Sequence, residues 1–373
     1  MGSLVHTLGL RLPIIQAPMY GVSTPSLVAK VAKYGALGSF GAGVLPPDVL
    51  RQSLDNLVRL VPDKRFNVNL FVESTHPSSS FDTDANWHAF EELLAPVRAA
   101  VGVDPTPRAV DRTPAPSSSY LLDAHVALVQ EFRPSVVSFC FGVLDRAVIR
   151  ECQAFAHVIG TATSVEEAIA LEEAGVDAIV AQGRVVLCRS RRLTLLFSVG
   201  GEAGGHRGTF LELSANDAQI GTLVLVPQIC DAVRVPVIAA GGITDARHVT
   251  AALALGADAV QVGSAFVGTP ESAASPAWKA SLGTHHASTA TTVTRGLTGR
   301  HARMLRNDLV DRLQPHEAWA ASSPRQRRRM ADIIQQKDGR FSALLVGQGH
   351  RACENGASVH DVLARLVGRP LEA

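Results

Sequence analysis

Residues 163–183 read TSVEEAIALEEAGVDAIVAQG, and their pattern decides the fold. Ser164 followed by Glu167 has the spacing of a helix capping box, and Gly175 supplies the stop. AIVAQG (178–183) then runs apolar without alternation, as expected of a strand buried on both faces of a parallel sheet. The same kind of strand recurs on either side. IIQAPM (14–19), ALGSFG (36–41), FNVNLFV (66–72), VVSFCFG (136–142) and HVIGTAT (157–163) precede it. PVIAAGG (236–242) and AVQVGS (259–264) follow, separated by a second helical pattern, DARHVTAALALGA (245–257), with Thr244 or Asp245 as its N-cap. Eight such strands alternating with helices predict an α/β fold, a (β/α)8 TIM barrel. A doubly wound sheet would show G-x-G-x-x-G after its first strand, and IIQAPMYGVS does not supply it.

Composition narrows the function classes. The 373 residues are 46% hydrophobic, enough for a large core, and 35 basic residues against 34 acidic ones leave no broad field for nucleic acid or a membrane surface. Aromatic residues make up 5%, too few for single-strand stacking platforms. The five cysteines are scattered with no CxxC pair, which predicts a reducing, cytoplasmic setting and no structural metal. No apolar run approaches the roughly 18 residues of a membrane span, and the N-terminus lacks a signal pattern.

Two stretches fall outside the strand count. Residues 73–118, rich in Ser, Pro and Asp around EELLAPVRAA, read as a surface excursion. Residues 271–373 read as a helical appendage beside the barrel of residues 1–270, with PRQRRRM (324–330) as a solvated helix face.

In such barrels the strand ends and the loops after them form the active face. Gly242 follows the seventh strand, and Gly263 and Ser264 follow the eighth, where a phosphate-binding place is expected. Ordinary tight turns would also account for glycines there. Gln16, Asn69, Gln182 and Gln261 stand at or near strand ends, where a buried carboxamide needs partners. Either an internal amide network or the edge of a flat heterocycle provides them. Together with the phosphate turns, the set points to flavin mononucleotide (FMN).

IIQAPM, FNVNLF, residues 163–183, EAGGHRGTF (202–210), VIAAGGI and DAVQVGSAF together resemble the nitronate monooxygenase family, from about residue 13 to 270. LLVGQG (344–349) is a weaker echo of the family's closing segment. The resemblance implies an FMN-dependent barrel that oxidises alkyl nitronates with O2 to carbonyl compounds and nitrite, with nitroalkanes as the alternative substrates. It implies that Asn69 and Gln182 contact the isoalloxazine ring, and that Gly204 and Gly242 admit the cofactor. Gln261, Val262, Gly263 and Ser264 would hold the phosphate side, Gln16 would join the cofactor set, and His206 would lie over the ring as the catalytic residue. The glycines around His206 leave room for a flat ring and a small anion, and imidazole is a suitable base or donor. Arg207 either adds positive charge there or faces solvent. Some family members carry a histidine where this chain has GTATS (160–164), which leaves the base role to His206 or to none.

The family places one residue between the glycine of AQG and the EAGGH element, whereas here residues 184–201 fill that gap. The surplus, residues 185–201, mixes basic and apolar residues without period and lacks the turn residues of an evolved loop. It reads as a lid-like insertion, an intron translated in frame, or a splice artefact. The alternatives to a nitronate monooxygenase are an NAD(P)H-dependent reductase of the enoyl-acyl carrier protein reductase type and a silent paralogue disabled by the insert. The expected partners are a small nitronate or nitroalkane and O2, with no nucleic acid and no membrane; the oligomeric state is open.

Overall fold

The strand ends that carry the site are set by a closed ring of parallel strands, seen in a computed structural model that describes residues 3–72, 83–111, 113, 118–183, 202–211, 220–283 and 290–372. In chain order these strands are β1 (Ile14–Gln16), β2 (Gly38–Gly43), β3 (Phe66–Phe71), β4 (Val136–Cys140), β5 (His157–Ala162) and β6 (Ala178–Gln182). A two-residue strand, β7 (Gly205–His206), stands apart from the ring, which resumes with β8 (Val237–Ala240) and β9 (Ala259–Val262). The order is β1-β9-β8-β6-β5-β4-β3-β2, with every neighbouring pair parallel. Closure comes where Gln16 N–H donates to Leu37 at 2.8 Å and Leu37 N–H donates to Ile14 at 3.0 Å. The eight apolar runs are thus the eight strands of a (β/α)8 barrel.

Two apolar layers hold the ring. Outside it, helices pack Leu27, Leu50, Leu171 and Ile229 against strand residues such as Val68, Val158 and Val260, all fully buried. Inside, the start of the barrel is stoppered by Leu4 and Val5 of a short N-terminal helix, Ser3–Thr7, and by Leu8 just after it, packed on Leu37, Val136, Ala178 and Ala259. That helix has no periodic signature of its own, and its role depends on the barrel it fills.

Caps follow the sequence in part. Ser164 accepts from Glu167 N–H, Asp245 accepts from Arg247 N–H at the next helix, and Gly175 closes its helix at φ 95°. The expected capping box, however, is not reciprocal. The buried Glu167 carboxylate turns away to Thr163, Thr209, Phe210 and Leu211, for a reason that appears in the site.

The largest departure concerns the two outlying stretches. EELLAPVRAA is not part of an exposed excursion but the second half of a 17-residue helix, Asp84–Ala100. Phe90, Leu94 and Val97 of that helix share one apolar core with Leu297, Met304, Leu309, Met330 and Ile333. The region after 270 also contributes strands, since β10 (Thr291–Thr294) and β11 (Ala302–Leu305) form an antiparallel sheet with β7. PRQRRRM is likewise not a solvated face. In helix Arg325–Gln335, Gln326, Arg329 and Met330 are buried. Arg329 Nε donates to Glu91 at 2.9 Å and Arg98 Nη1 to the same carboxylate at 2.7 Å, with all three side chains fully buried. Burial draws the Arg329 pKa down to about 10, partly offset by Glu91, so it stays protonated at neutral pH. Its guanidinium also stacks 3.6 Å above the centre of the Trp87 ring. Asp332 accepts from Arg98 Nε at 2.9 Å and completes the cluster. Among the described residues no helix is long and apolar enough to cross a membrane.

Glu91 therefore bridges two buried guanidinium groups that join the early and late helices, with Asp332 as the second negative charge on Arg98. Glu91→Gln leaves the buried Arg329 without its carboxylate and Arg98 with Asp332 alone, and should cost about 3 kcal/mol, as for other broken buried ion pairs. Urea unfolding measures this, and a loss below about 1 kcal/mol would contradict the assignment.

Candidate active site

At the carboxyl ends of the strands lies a cavity of about 590 Å³, within the range of small-molecule and cofactor sites. Its floor and walls come from the strand ends, including Asn69, Gln182 and residues 261–264. The roof comes from the late region, through Leu297, Thr298, Arg327, Ala331, Ile334 and Leu345. The core shared with helix Asp84–Ala100 is what holds that roof in place.

Gln182 organises the wall that carries the histidine. Its Oε1 accepts from Gly208 N–H at 2.8 Å, and its Nε2 donates to the His206 carbonyl at 3.1 Å. The Glu167 carboxylate secures the continuation, accepting from Thr209 Oγ1 at 2.6 Å and Phe210 N–H at 2.7 Å. On the other side β7 pairs with β11, where His206 stands opposite Ala302. The histidine backbone is thus fixed from both sides. The ring Nε2 lies 3.0 Å from Thr298 Oγ1 of the roof, and the imidazole meets Phe141 edge-on at 6.2 Å.

Phe141 itself has φ 73°, a left-handed conformation unfavourable for an aromatic residue. Its N–H donates to Gly208 at 3.3 Å, and its ring packs edge-on against Phe71 at 4.8 Å. Arg300 caps the Phe141 ring at 4.6 Å. The turn after β4 thereby places an aromatic wall beside the histidine.

Of the expected site residues, Asn69, Gln182, Gly204, His206, Gly242, Gln261, Val262, Gly263 and Ser264 line this cavity together. Gln16 does not. Its amide is fully buried, accepting from Ser39 N–H at 3.0 Å and donating to Ser23 Oγ at 3.0 Å and to the Ala17 carbonyl, so it belongs to an internal network. Asn69 is also committed, donating to Ser138 Oγ at 2.9 Å. Gln261 lines the cavity half-buried, and no protein hydrogen bond engages its amide among the described residues. The amide set therefore divides into scaffold and cavity-facing members. Arg207 follows neither expectation. It is buried and points to Thr163 Oγ1 at 3.2 Å, and burial lowers its pKa against the pull of Glu167.

The glycines serve different ends. Gly242 has φ 71°, and a Cβ there would meet Glu202 Cβ at 2.7 Å, so the turn after β8 requires glycine. At Gly204 a Cβ would meet the main chain of Val346 and Gly347 at 2.4–2.5 Å, so this glycine admits the closing LLVGQG segment rather than leaving cofactor space. Gly263 is roomier, with Ala17 Cβ 3.4 Å from the position of a Cβ. Ser264 Oγ accepts from Gly347 N–H at 2.9 Å, which brings the closing segment beside the two glycine turns. Phe71, Phe141, Thr298 and Arg327 were not identified from sequence. The two aromatic residues look like core at strand ends, and the roof residues carry no period or motif.

The insert of residues 185–201 lies outside the described residues. Its flanks are well placed. Ala203 N–H donates to the Gly183 carbonyl at 3.1 Å, and Glu202 accepts from Thr222 N–H at 2.8 Å. The chain leaves and returns at one point.

Comparison with known proteins gives a consistent result. A nitronate monooxygenase family model matches residues 3–186 and 193–368, so its one interruption falls within the insert. A probable nitronate monooxygenase of Staphylococcus aureus strain JH9 is 37% identical over 316 residues, covering 84% of this chain and 81% of the relative. A crystal structure of nitroalkane oxidase from Streptomyces ansochromogenes superposes with a TM-score of 0.82 at 34% identity, covering 98% of both chains. FabK from Thermotoga maritima superposes with a TM-score of 0.70 at 26% identity, covering 99% of this chain and 96% of that one.

Two outcomes follow from the Gln182 clamp and the closed flanks. Gln182→Leu strands the buried Gly208 N–H and should cost about 1–3 kcal/mol in urea unfolding; an unchanged midpoint would show that the clamp is dispensable. Deleting residues 185–201 should leave a soluble, cooperatively unfolding protein by circular dichroism. Aggregation or loss of cooperativity would mean that the segment supports the barrel.

Proposed function

Because the chain belongs to the nitronate monooxygenase family, and is therefore an oxidoreductase, we propose that it binds FMN and oxidises alkyl nitronates with O2 to carbonyl compounds and nitrite. Neutral nitroalkanes are the proposed secondary substrates. The observation that carries this reading is one cavity with a positioned imidazole on one wall and, on another, two glycine turns at the ends of β8 and β9.

The residues present fit FMN. Gly242 lines the cavity in the left-handed turn after β8, where a phosphate can meet main chain rather than a side chain. Gly263 and Ser264 offer the second turn, and the cavity-facing amide of Gln261 can both donate and accept at the edge of a flavin. When bound, the flavin supplies electron transfer from substrate to O2.

The protein's own part is to hold the substrate anion and to handle a proton. The main chain of His206 is clamped by Gln182 and β11, so the imidazole is presented at a fixed place. Thr298 Oγ1 steers its Nε2. Phe71, Phe141 and Leu297 form apolar walls that exclude water from the reacting carbon. A nitronate is already deprotonated and needs only to be held. A neutral nitroalkane must also lose a carbon-bound proton, where a positioned base contributes about 10²- to 10⁴-fold.

Likeness to FabK favours a second reading, flavin-dependent reduction by NAD(P)H. The two readings separate in an oxygen electrode. The proposal expects nitronate-dependent O2 uptake without NAD(P)H, whereas the second expects NAD(P)H oxidation and inert nitronate.

Gly263→Asp places a carboxylate where the phosphate is proposed, while the room at this position allows folding; retained flavin in the folded variant would refute that placement. His206→Asn should keep flavin and most nitronate turnover but reduce nitroalkane turnover by about 10²- to 10⁴-fold. Equal loss on both substrates would assign His206 to anion binding, and no loss on either would remove it from the chemistry.

A further inference from the structure

The chain is 5% aromatic, yet Tyr20, Phe71 and Phe141 gather on one arc of the cavity. Phe71 ends β3 and Phe141 follows β4, with their rings edge to face at 4.8 Å. Phe141 meets the imidazole of His206 at 6.2 Å on one side, and Tyr20 stands 6.4 Å from Phe71 on the other. The rings form a continuous line leading outward from the imidazole. It ends at Tyr20, which is 45% exposed and marks where the cavity meets solvent.

Tyr20 is seated rather than loose. It comes from the loop after β1 but leans over the end of β2, where two glycines make the space. A Cβ on Gly43 would stand close against the Tyr20 ring, and one on Gly41 would stand 2.7 Å from the Tyr20 main-chain nitrogen. The strand order sets this arc apart from the glycine turns proposed for the phosphate. In the ring β1-β9-β8-β6-β5-β4-β3-β2, β3 lies at the middle of the arc and is four strands from β8 in either direction. We infer that the line of Tyr20, Phe71 and Phe141 is the subsite for the hydrocarbon tail of the substrate. The substrate class is then linear alkyl nitronates longer than ethyl, with the reacting carbon at the imidazole and the tail running toward Tyr20.

Two physical points support this. Stacked aromatic rings offer broad apolar surface and are already ordered by their mutual packing, so little entropy is lost when a chain lies along them. The described lining of the cavity also contains no aspartate or glutamate, so no lining carboxylate opposes an anionic substrate with an apolar tail. A nitronate as small as ethyl would leave the outer rings in contact with water.

The inference rests on the nitronate reading, and its test separates the two. Linear nitronates from ethyl to hexyl are compared by kcat/KM in flavin-loaded wild type, Tyr20→Ala and Tyr20→Phe, and flavin content is measured in each. In wild type kcat/KM should rise about 3- to 4-fold per added methylene, the worth of burying one, and level off once the tail reaches solvent. Tyr20→Ala should lower the hexyl-to-ethyl ratio by about 4- to 15-fold, the worth of one or two methylenes, whereas Tyr20→Phe keeps the ring and should keep the ratio. A flat series in wild type, or a series as steep in Tyr20→Ala, would overturn the subsite. So would loss of flavin from folded Tyr20→Ala, which would assign Tyr20 to the cofactor. The n-alkanoates from acetate to octanoate, unreactive two-oxygen anions, are titrated in parallel by the change in flavin absorption. In a protein inert toward every nitronate, alkanoate affinity that climbs with chain length and depends on Tyr20 would uphold the tail subsite and overturn the nitronate reading. Alkanoate affinity without length dependence in such a protein would overturn the subsite as well.

Discussion

The carboxamide of Gln182 is the interaction on which the site most depends. It ends a buried barrel strand and grips both the His206 carbonyl and the Gly208 amide, so the imidazole inherits the rigidity of the barrel. Glu167 extends the grip to residues 209–211. A buried carboxylate that accepts several main-chain donors is well satisfied, which explains why Glu167 forgoes the reciprocal cap its spacing allows. Helix capping and loop anchoring compete for one side chain here, and loop anchoring wins. The stitch between Gly183 and Ala203 completes the arrangement by returning the chain to the barrel rim at the point where it left.

The second dependence is between the roof and the rim. The roof comes from residues more than 150 positions later in the chain than the end of β4, and it is carried on a core shared with helix Asp84–Ala100. Inside that core, Glu91 serves Arg98 and Arg329 at once. A buried ionic cluster adds little net stability but penalises any other docking of the two helices, since each would strand a charge. In this account its value is the position it gives the face of the late helix that lines the cavity.

The barrel was legible because each strand is buried on both faces, so its composition reports its environment directly. AIVAQG, PVIAAGG and AVQVGS need no partner to be recognised, and their terminal glycines lie where the fold puts its loops. PRQRRRM shows the opposite case. Three arginines in a row look solvated until Glu91, more than two hundred residues away in sequence, is brought against one of them. Gln16 and Gln182 illustrate a finer limit. Both are amides at strand ends, but only the tertiary contacts reveal that one faces Ser39 and Ser23 within the barrel and the other holds a loop at its mouth. Phe141 gave no signal because its role depends on a left-handed backbone that sequence favours only for glycine and asparagine.

The central claim is that the cavity at the barrel mouth brings a flavin and a nitronate together. It is tested most directly by mixing FMN-loaded protein with ethyl nitronate in the absence of oxygen and following the flavin's visible absorption. The account predicts loss of the oxidised flavin band on mixing, with no NAD(P)H present, and its return when air is admitted. A band that persists with the nitronate and fades only on addition of NAD(P)H would contradict it.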